Sequence, residues 1–218
     1  MKITISSEIK EKCPELSIAV LRCKVKNTIS SDELWIEIDS ETERIKSQYK
    51  LEEINKRPEI YATRQAYKKL GKDPNRYRPS AEALCRRILR DIPLYKLNTL
   101  VDFINLVSIR SGFSIGGFDA DKIKGDVVLG VGTQEDVFEG IGRGLLNIEG
   151  LPVYRDEEGG IGTPTSDNER TKITMDTTSL LMIINGYSGK AGLTYAVDYS
   201  IDLLKKYAEL SEWTIEYL

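Results

Sequence analysis

The sequence contains no histidine. That absence removes Ser-His-Asp and Cys-His catalysis, and it removes zinc or iron held by imidazole. An enzyme built from this chain works with carboxylates, hydroxyls, lysines, backbone amides or groups on its substrate. A general base with a pKa near 7 would have to be a carboxylate shifted strongly upward. Cysteine is scarce too. Cys13, Cys23 and Cys85 are widely spaced and form no C-x-x-C pair, which predicts reduced thiols in a cytoplasmic protein rather than a disulfide frame. No run approaches the roughly 18–20 apolar residues of a membrane span, and MKITISSEIKEK at the N-terminus lacks the apolar core of a secretory signal. No internal repeat and no Pro/Ser linker divides the chain. A single domain over 1–218 is expected, with no cofactor and no metal.

What is present is the composition of a folded globular protein: 40% hydrophobic and 30% charged residues. The net charge of −3 conceals an asymmetry. Residues 56–90 hold eleven basic side chains against Glu59, Asp73 and Glu82, about +8, which leaves about −11 for the remainder. Such a block is either a set of solvated helix faces or the footprint of a phosphate-rich partner, because Lys and Arg displace counterions from nucleic acid.

Apolar patterning predicts a strand over 17–25, an ambiguous apolar stretch at 34–38, and a helix over 41–51. A helix over 60–70 should stop at Gly71. Ser80 reads as the N-cap of the next helix, with Glu82 in its first turn. Asn98-Thr99 opens another helix that runs to Gly112, with Leu100, Phe103, Ile104 and Val107 as its apolar stripe. Short strands are expected at 126–131, 137–141, 151–154, 172–175 and 180–184, with a hairpin turn at 157–160 and a final helix over 193–210. The sum is an α+β fold, helices packed on a largely antiparallel sheet.

Several pieces carry a family resemblance: PSAEALCRRIL (79–89), NTLVDFINLVSIRSGFSIGGFDADKIKGD (98–126), FEGIGRG with NIEG, and GTPTSDNERT. Together they resemble the editing domain of the phenylalanyl-tRNA synthetase beta subunit, its third and fourth B modules, over about residues 50–190. Residues 1–49 then read as an N-terminal extension packed on that domain. The joint pattern N-x-x-V-D-x-x-N and F-D-x-D-K-I is the specific part. The resemblance implies a trans-acting protein that binds tRNA and hydrolyses a mischarged aminoacyl ester, as the parent family removes tyrosine from phenylalanine tRNA. The amino-acid moiety would be the pocket ligand. A complete synthetase is not implied, since 218 residues cannot hold the aminoacylation domain.

The resemblance also implies site residues. Asn105 matches an asparagine of the bacterial editing pocket. The threonine before it is Ile104 here, a pocket histidine falls on Gly116, a glutamate falls near Ile184, and a small residue falls near Gly186, with Asn185 between the last two. The residues themselves leave two readings at each position. Asn105 is a structural amide or a pocket donor. Asp119 and Asp121 are turn carboxylates or pocket acids. Gly116 and Gly117 permit a tight turn or admit a ligand. Arg143, between glycines, is a turn residue or a grip for a carboxylate or phosphate; no G-K-[ST] follows to make a nucleotide loop. The run IGTPTSDNERTK (161–172) is a solvated connection or a polar mouth with Thr165, Ser166 and Asp167 nearest the substrate. Glu169 and Arg170 read as a surface pair. The candidate pocket is Asn105, Gly116, Gly117, Asp119, Arg143, Thr165, Ser166, Asn185 and Gly186. Arg76, Arg78, Arg86, Arg87 and Arg90 are the candidate RNA contacts. Without histidine, hydrolysis is expected to use a positioned water and backbone amides near Gly116 and Gly162 rather than a protein base. The alternative is a non-catalytic module that keeps the fold and binds RNA, an amino acid or a protein.

Overall fold

Leu180 to Ile184 are apolar without a break, so the strand they form has no wet face, and the fold is built around it. The computed structural model describes all 218 residues. In chain order the elements are β1 (Ile3–Ile5), α1 (Ser7–Lys12), β2 (Ser17–Lys24), α2 (Asp32–Gln48), α3 (Pro58–Lys69), α4 (Ser80–Ile88), α5 (Thr99–Ser111), β3 (Ser114–Asp119), β4 (Val127–Val131), β5 (Glu139–Gly140), β6 (Gly144–Leu145), β7 (Pro152–Asp156), β8 (Gly159–Gly162), β9 (Ser179–Gly186), α6 (Leu193–Tyr207) and β10 (Ser211–Tyr217). One sheet has the order β10-β2-β9-β3 and is antiparallel throughout. The other has the order β1-β4-β7-β8, with β1 and β4 parallel, and β5–β6 is a separate two-stranded ribbon.

The side-chain alternation of β9 separates two cores. Leu180, Met182 and Ile184 pack with the helices, while Leu181 and Ile183 pack with Ile3, Leu129, Tyr154 and Ile161 of the second sheet. The result is three layers: helices, sheet, sheet. Residues 1–49 supply β2, an inner strand of the first sheet, and α2, whose Leu34, Ile38 and Ile45 enter the helical core. No helix is long and apolar enough to cross a membrane. The three cysteines are buried and unpaired.

The expected α+β class and its helices are present, and several local expectations are corrected. α5 begins as predicted, with the Asn98 side chain accepting from Val101 N–H, and it ends at Gly112, whose φ of +85° fits the left-handed C-terminal residue. α2 is a single helix that takes in 34–38 and starts at the Ser31 cap. Ser80 is not a cap. Pro79 occupies that position, and the Ser80 N–H donates to the Pro164 carbonyl instead. Residues 172–175 form no strand; Lys172 alone bridges Phe118. Of 137–141 only Glu139–Gly140 pairs. β3 was hidden by its two glycines, and β10 by its exposed, mostly polar sequence.

Glu82 fixes α4 to its surroundings. Its carboxylate is wholly buried between the guanidinium of Arg64, at 2.8 Å, and that of Arg86, at 2.7 Å. Arg64 also donates to Pro74 O and Asn75 Oδ1, so one buried acid ties α3, α4 and the 70–79 loop together. Removing one partner of a buried ion pair leaves the other charge uncompensated, at a cost of about 3–5 kcal/mol. The variant E82A is therefore expected to lower the unfolding free energy in urea by about 3 kcal/mol or more; a loss below about 0.5 kcal/mol, the scale of a surface change, contradicts this role.

Candidate functional site

β3 is the outer strand of its sheet, and an outer strand presents unpaired backbone groups that something must cover. The run 161–172 covers it. The Gly117 N–H donates to Asp167 Oδ2 at 3.1 Å, and Lys172 pairs with Phe118. Thr163 closes the turn: its hydroxyl accepts from the N–H groups of Thr165 and Ser166 and donates to the Ser166 carbonyl. Thr165 points inward, its hydroxyl 2.8 Å from that of Tyr67. The polar run is thus a tight, internally bonded edge cover. The expected Glu169–Arg170 pair does not form. Glu169 pairs with Lys172, and Arg170 with Asp156 and Glu158.

Between this cover, β3, α5 and the start of α4 lies a cleft of about 330 Å³, within the range of roughly 300–1,000 Å³ usual for small-molecule sites. A Cβ at Gly117 would come within 2.6 Å of Ile104 Cδ1 and 3.1 Å of Ile173 Cδ1, so a larger residue there would require these two side-chain ends in the cleft wall to shift. Leu84, Val101, Ile104, Ile115, Ile141 and Ile173 give apolar walls; Ser80, Asn105, Ser166, Asp167 and Lys172, the last paired with Glu169, give polar points among them. The Asn105 carboxamide is half-buried and makes no hydrogen bond within the chain, although a buried amide without partners is costly. It faces the cleft as a free donor and acceptor.

Asp167 lines the cleft. Its Oδ2 is held by the Gly117 amide, no cation pairs with it, and Oδ1 has no partner within the chain. Burial pushes its pKa up to about 7, and the Gly117 hydrogen bond only partly opposes that. A carboxylate shifted upward, as a histidine-free chain would need for a general base near pH 7, is therefore present. The Gly117 amide is occupied by Asp167, and Gly116 and Gly162 pack against the Phe118 ring. Asp102, the acid of the N-x-x-V-D-x-x-N pattern, holds the mouth. It accepts from Ser30 Oγ, Trp35 Nε1 and the Leu97 amide, and burial raises its pKa.

Of the candidate pocket residues, Asn105, Gly117 and Ser166 line the cleft together. Gly116 lies on the opposite face of β3. Thr165 is turned behind the wall. Asp119 accepts from Thr177 Oγ1 and the Asp121 amide, and it pairs with Lys122, so it caps a turn; Asp121 is the exposed residue that follows. Asn185 faces the second sheet, bonded to Tyr154 OH at 2.6 Å and Ser114 O at 2.9 Å. Gly186 is packed against the Ser17 and Gly189 carbonyls, and Ile184 is in the helical core. The strand period explains these departures: adjacent residues of β3 and β9 cannot share a face. The polar-mouth reading of the run places Asp167 nearest the substrate; its burial could have been foreseen only by knowing that the run lies along a strand edge.

Arg143 is placed elsewhere. It joins Arg76, Arg78, Arg86, Arg87 and Arg90 around a second groove of about 250 Å³. The β5–β6 ribbon carries it there, docked on the edge cover through Ile141 N–H to Asp167 O and Gly142 N–H to Glu169. The other basic residues of 56–90 are partly consumed in the fold: Arg57 donates to Ile109 O and Arg110 O, and Lys72 to Asn147 O and Glu149 O.

Comparison with known proteins agrees with the resemblance read from the sequence. No curated protein matches the chain. A solved N-terminal fragment of the phenylalanyl-tRNA synthetase beta subunit from Pyrococcus horikoshii is similar at 15% identity and a TM-score of 0.49, over 96% of this chain and 50% of that one. The chain thus spans about half the length of that fragment. The model of the B3/4 domain matches residues 62–208, which include α4, α5, the edge cover and β9. With most of its length so matched, the chain belongs to the B3/4 domain family.

Proposed function

We propose that the α5 cleft hydrolyses the ester between an amino acid and the terminal ribose of a tRNA, acting in trans on a mischarged molecule. The observation that carries this reading is Asp167: a carboxylate with a pKa of about 7, unpaired by any cation, in a cleft where the Asn105 carboxamide makes no hydrogen bond within the chain. The apolar walls take the amino-acid side chain, and Asn105 orients the aminoacyl group. Asp167, ionised, accepts a proton from a water that attacks the ester carbonyl carbon. A tetrahedral adduct forms, the carbon–oxygen bond to the ribose breaks, and the proton passes to the departing ribose oxygen, leaving amino acid and free tRNA. No metal or cofactor enters these steps.

A second reading is a non-catalytic module in which the cleft binds the aminoacyl group without turnover. The positions of Ile184 and Asn185 favour it, since neither supplies a polar group to the cleft. Under that reading a charged tRNA binds and its ester decays at the uncatalysed rate.

A deacylation screen over a panel of mischarged tRNAs separates the two. Hydrolysis of at least one member well above background is expected, and no acceleration for any member sinks the hydrolase reading. For the active member, D167N is expected to lower kcat by about 100-fold or more, the usual contribution of a general base. N105A is expected to lower kcat/KM with little effect on folding. The rate should rise with pH and level off above about 7, because only the ionised carboxylate accepts a proton; a flat profile, or one unchanged in D167N, contradicts the role.

The same group affects stability. Its folded pKa lies above the usual carboxylate value of 3.8, so the native state binds the proton more tightly than the unfolded chain. Stability contributed by this site is therefore lost as pH rises from about 4 to about 7 and is constant above. The difference in unfolding free energy between wild type and D167N should drift in favour of D167N over that interval; a difference independent of pH contradicts the shift.

A further inference from the structure

Six arginines from three separated segments line one groove. Arg76 and Arg78 come from the loop before α4, Arg86 and Arg87 from α4, Arg90 from the turn that follows it, and Arg143 from the β5–β6 turn. No carboxylate lines it. Arg86 is tethered from behind by Glu82, and Arg87 by Pro93 O and the ring of Tyr95, 4.1 Å away. Arg78, Arg90 and Arg143 are exposed and make no ion pair or side-chain hydrogen bond; Arg76 has only the face of Tyr77 at 6.0 Å. Gathering like charges this closely opposes folding unless a polyanion compensates them, and guanidinium forks suit phosphate oxygens. In a chain of net charge −3 the groove is also a local reversal of sign.

The groove and the cleft share their walls. On α4, Ala83 faces the groove and Leu84 the cleft; on the ribbon, Arg143 faces the groove and Ile141 the cleft. Tyr95, Leu97 and Leu145 stand exposed around them, and the Tyr95 ring beside Arg87 suits an unstacked base. We infer that the arginine groove holds the phosphodiesters of a single-stranded RNA 3′ end, so that its terminal ribose reaches the cleft. This deepens the deacylase reading and rests on it only for what lies in the cleft.

The test is fluorescence anisotropy of an uncharged tRNA, an otherwise identical tRNA trimmed of its single-stranded 3′ end, and inorganic phosphate as competitor. The variant is R78A/R90A/R143A, whose three side chains touch nothing the fold needs. Intact tRNA should bind the native protein with an affinity that falls with salt at a log–log slope of roughly −0.7 to −0.9 per phosphate neutralised. The triple variant should reduce that slope by about two to three units and weaken intact tRNA far more than trimmed tRNA, while its circular dichroism is unchanged. Equal affinity and slope in native and variant overturn the inference, as does equal loss for intact and trimmed RNA. Saturation by inorganic phosphate alone, with no RNA binding, also overturns it. If the variant loses RNA affinity and no charged tRNA is hydrolysed, the groove stands and the deacylase reading fails. If a charged tRNA is hydrolysed with unchanged KM in the variant, the groove fails and the deacylase reading stands.

Discussion

The constraint on which the structure depends is that β9 is buried on both faces. All eight of its residues are withdrawn from solvent, so the sheet that contains it needs a layer on each side. Helices supply one layer and the β1-β4-β7-β8 sheet the other. β2 and β3 flank β9, and β3, with no further strand beyond it, has an open edge. The covering of that edge by 163–172 creates the cleft. A helix packed against β3 at a glycine and a turn bonded to the same glycine leave a space between them, with Asp167 at its floor. The candidate chemistry therefore follows from the need to finish a sheet, and the polar composition of the covering run follows from the need to satisfy backbone donors.

Electrostatics divide the surface along α4. One side of this helix is apolar and faces a cleft whose single carboxylate has no cationic partner. The other side carries arginines with no carboxylate among them. Had the two surfaces been mixed, an arginine near Asp167 would hold its carboxylate ionised and depress its pKa. The buried Glu82 keeps Arg64 and Arg86 out of the cleft and anchors the wall between the two regions. A ligand whose acyl end carries no carboxylate and whose tail is anionic matches this division; a free amino acid, which would bring a second carboxylate beside Asp167, matches it poorly.

Features set by local chemistry were legible in the sequence. The Asn98 and Gly112 ends of α5, the Gly71 stop after α3, the hairpin at 157–160, and the strand at 180–184 all follow from cap residues, turn residues and apolar patterning. The basic asymmetry of 56–90 pointed to the arginine groove, though it counted Arg57, Arg64 and Lys72, which folding buries, and it had no means to add Arg143. Features set by tertiary contact were not legible. β3 is obscured by two glycines that answer to tertiary neighbours rather than to strand propensity, Gly116 to the Phe118 ring and Gly117 to Ile104 and Ile173. Asn185 looks like a pocket residue until the register of β9 turns it toward Tyr154. Asp167 is one acid in a polar run, and nothing local announces that burial will raise its pKa.

If one ligand spans both surfaces, its acyl group lies in the cleft and its phosphates in the groove. A crystal structure of the protein with a short RNA 3′ end whose terminal ribose carries the amino acid through an amide in place of the ester decides this. The expected complex has the acyl carbonyl within hydrogen-bonding reach of Asn105, a water between it and Asp167 Oδ1, and at least one phosphate against Arg78, Arg90 or Arg143. An acyl group bound outside the α5 cleft, or a phosphate tail that leaves by a route away from the arginines, would contradict it.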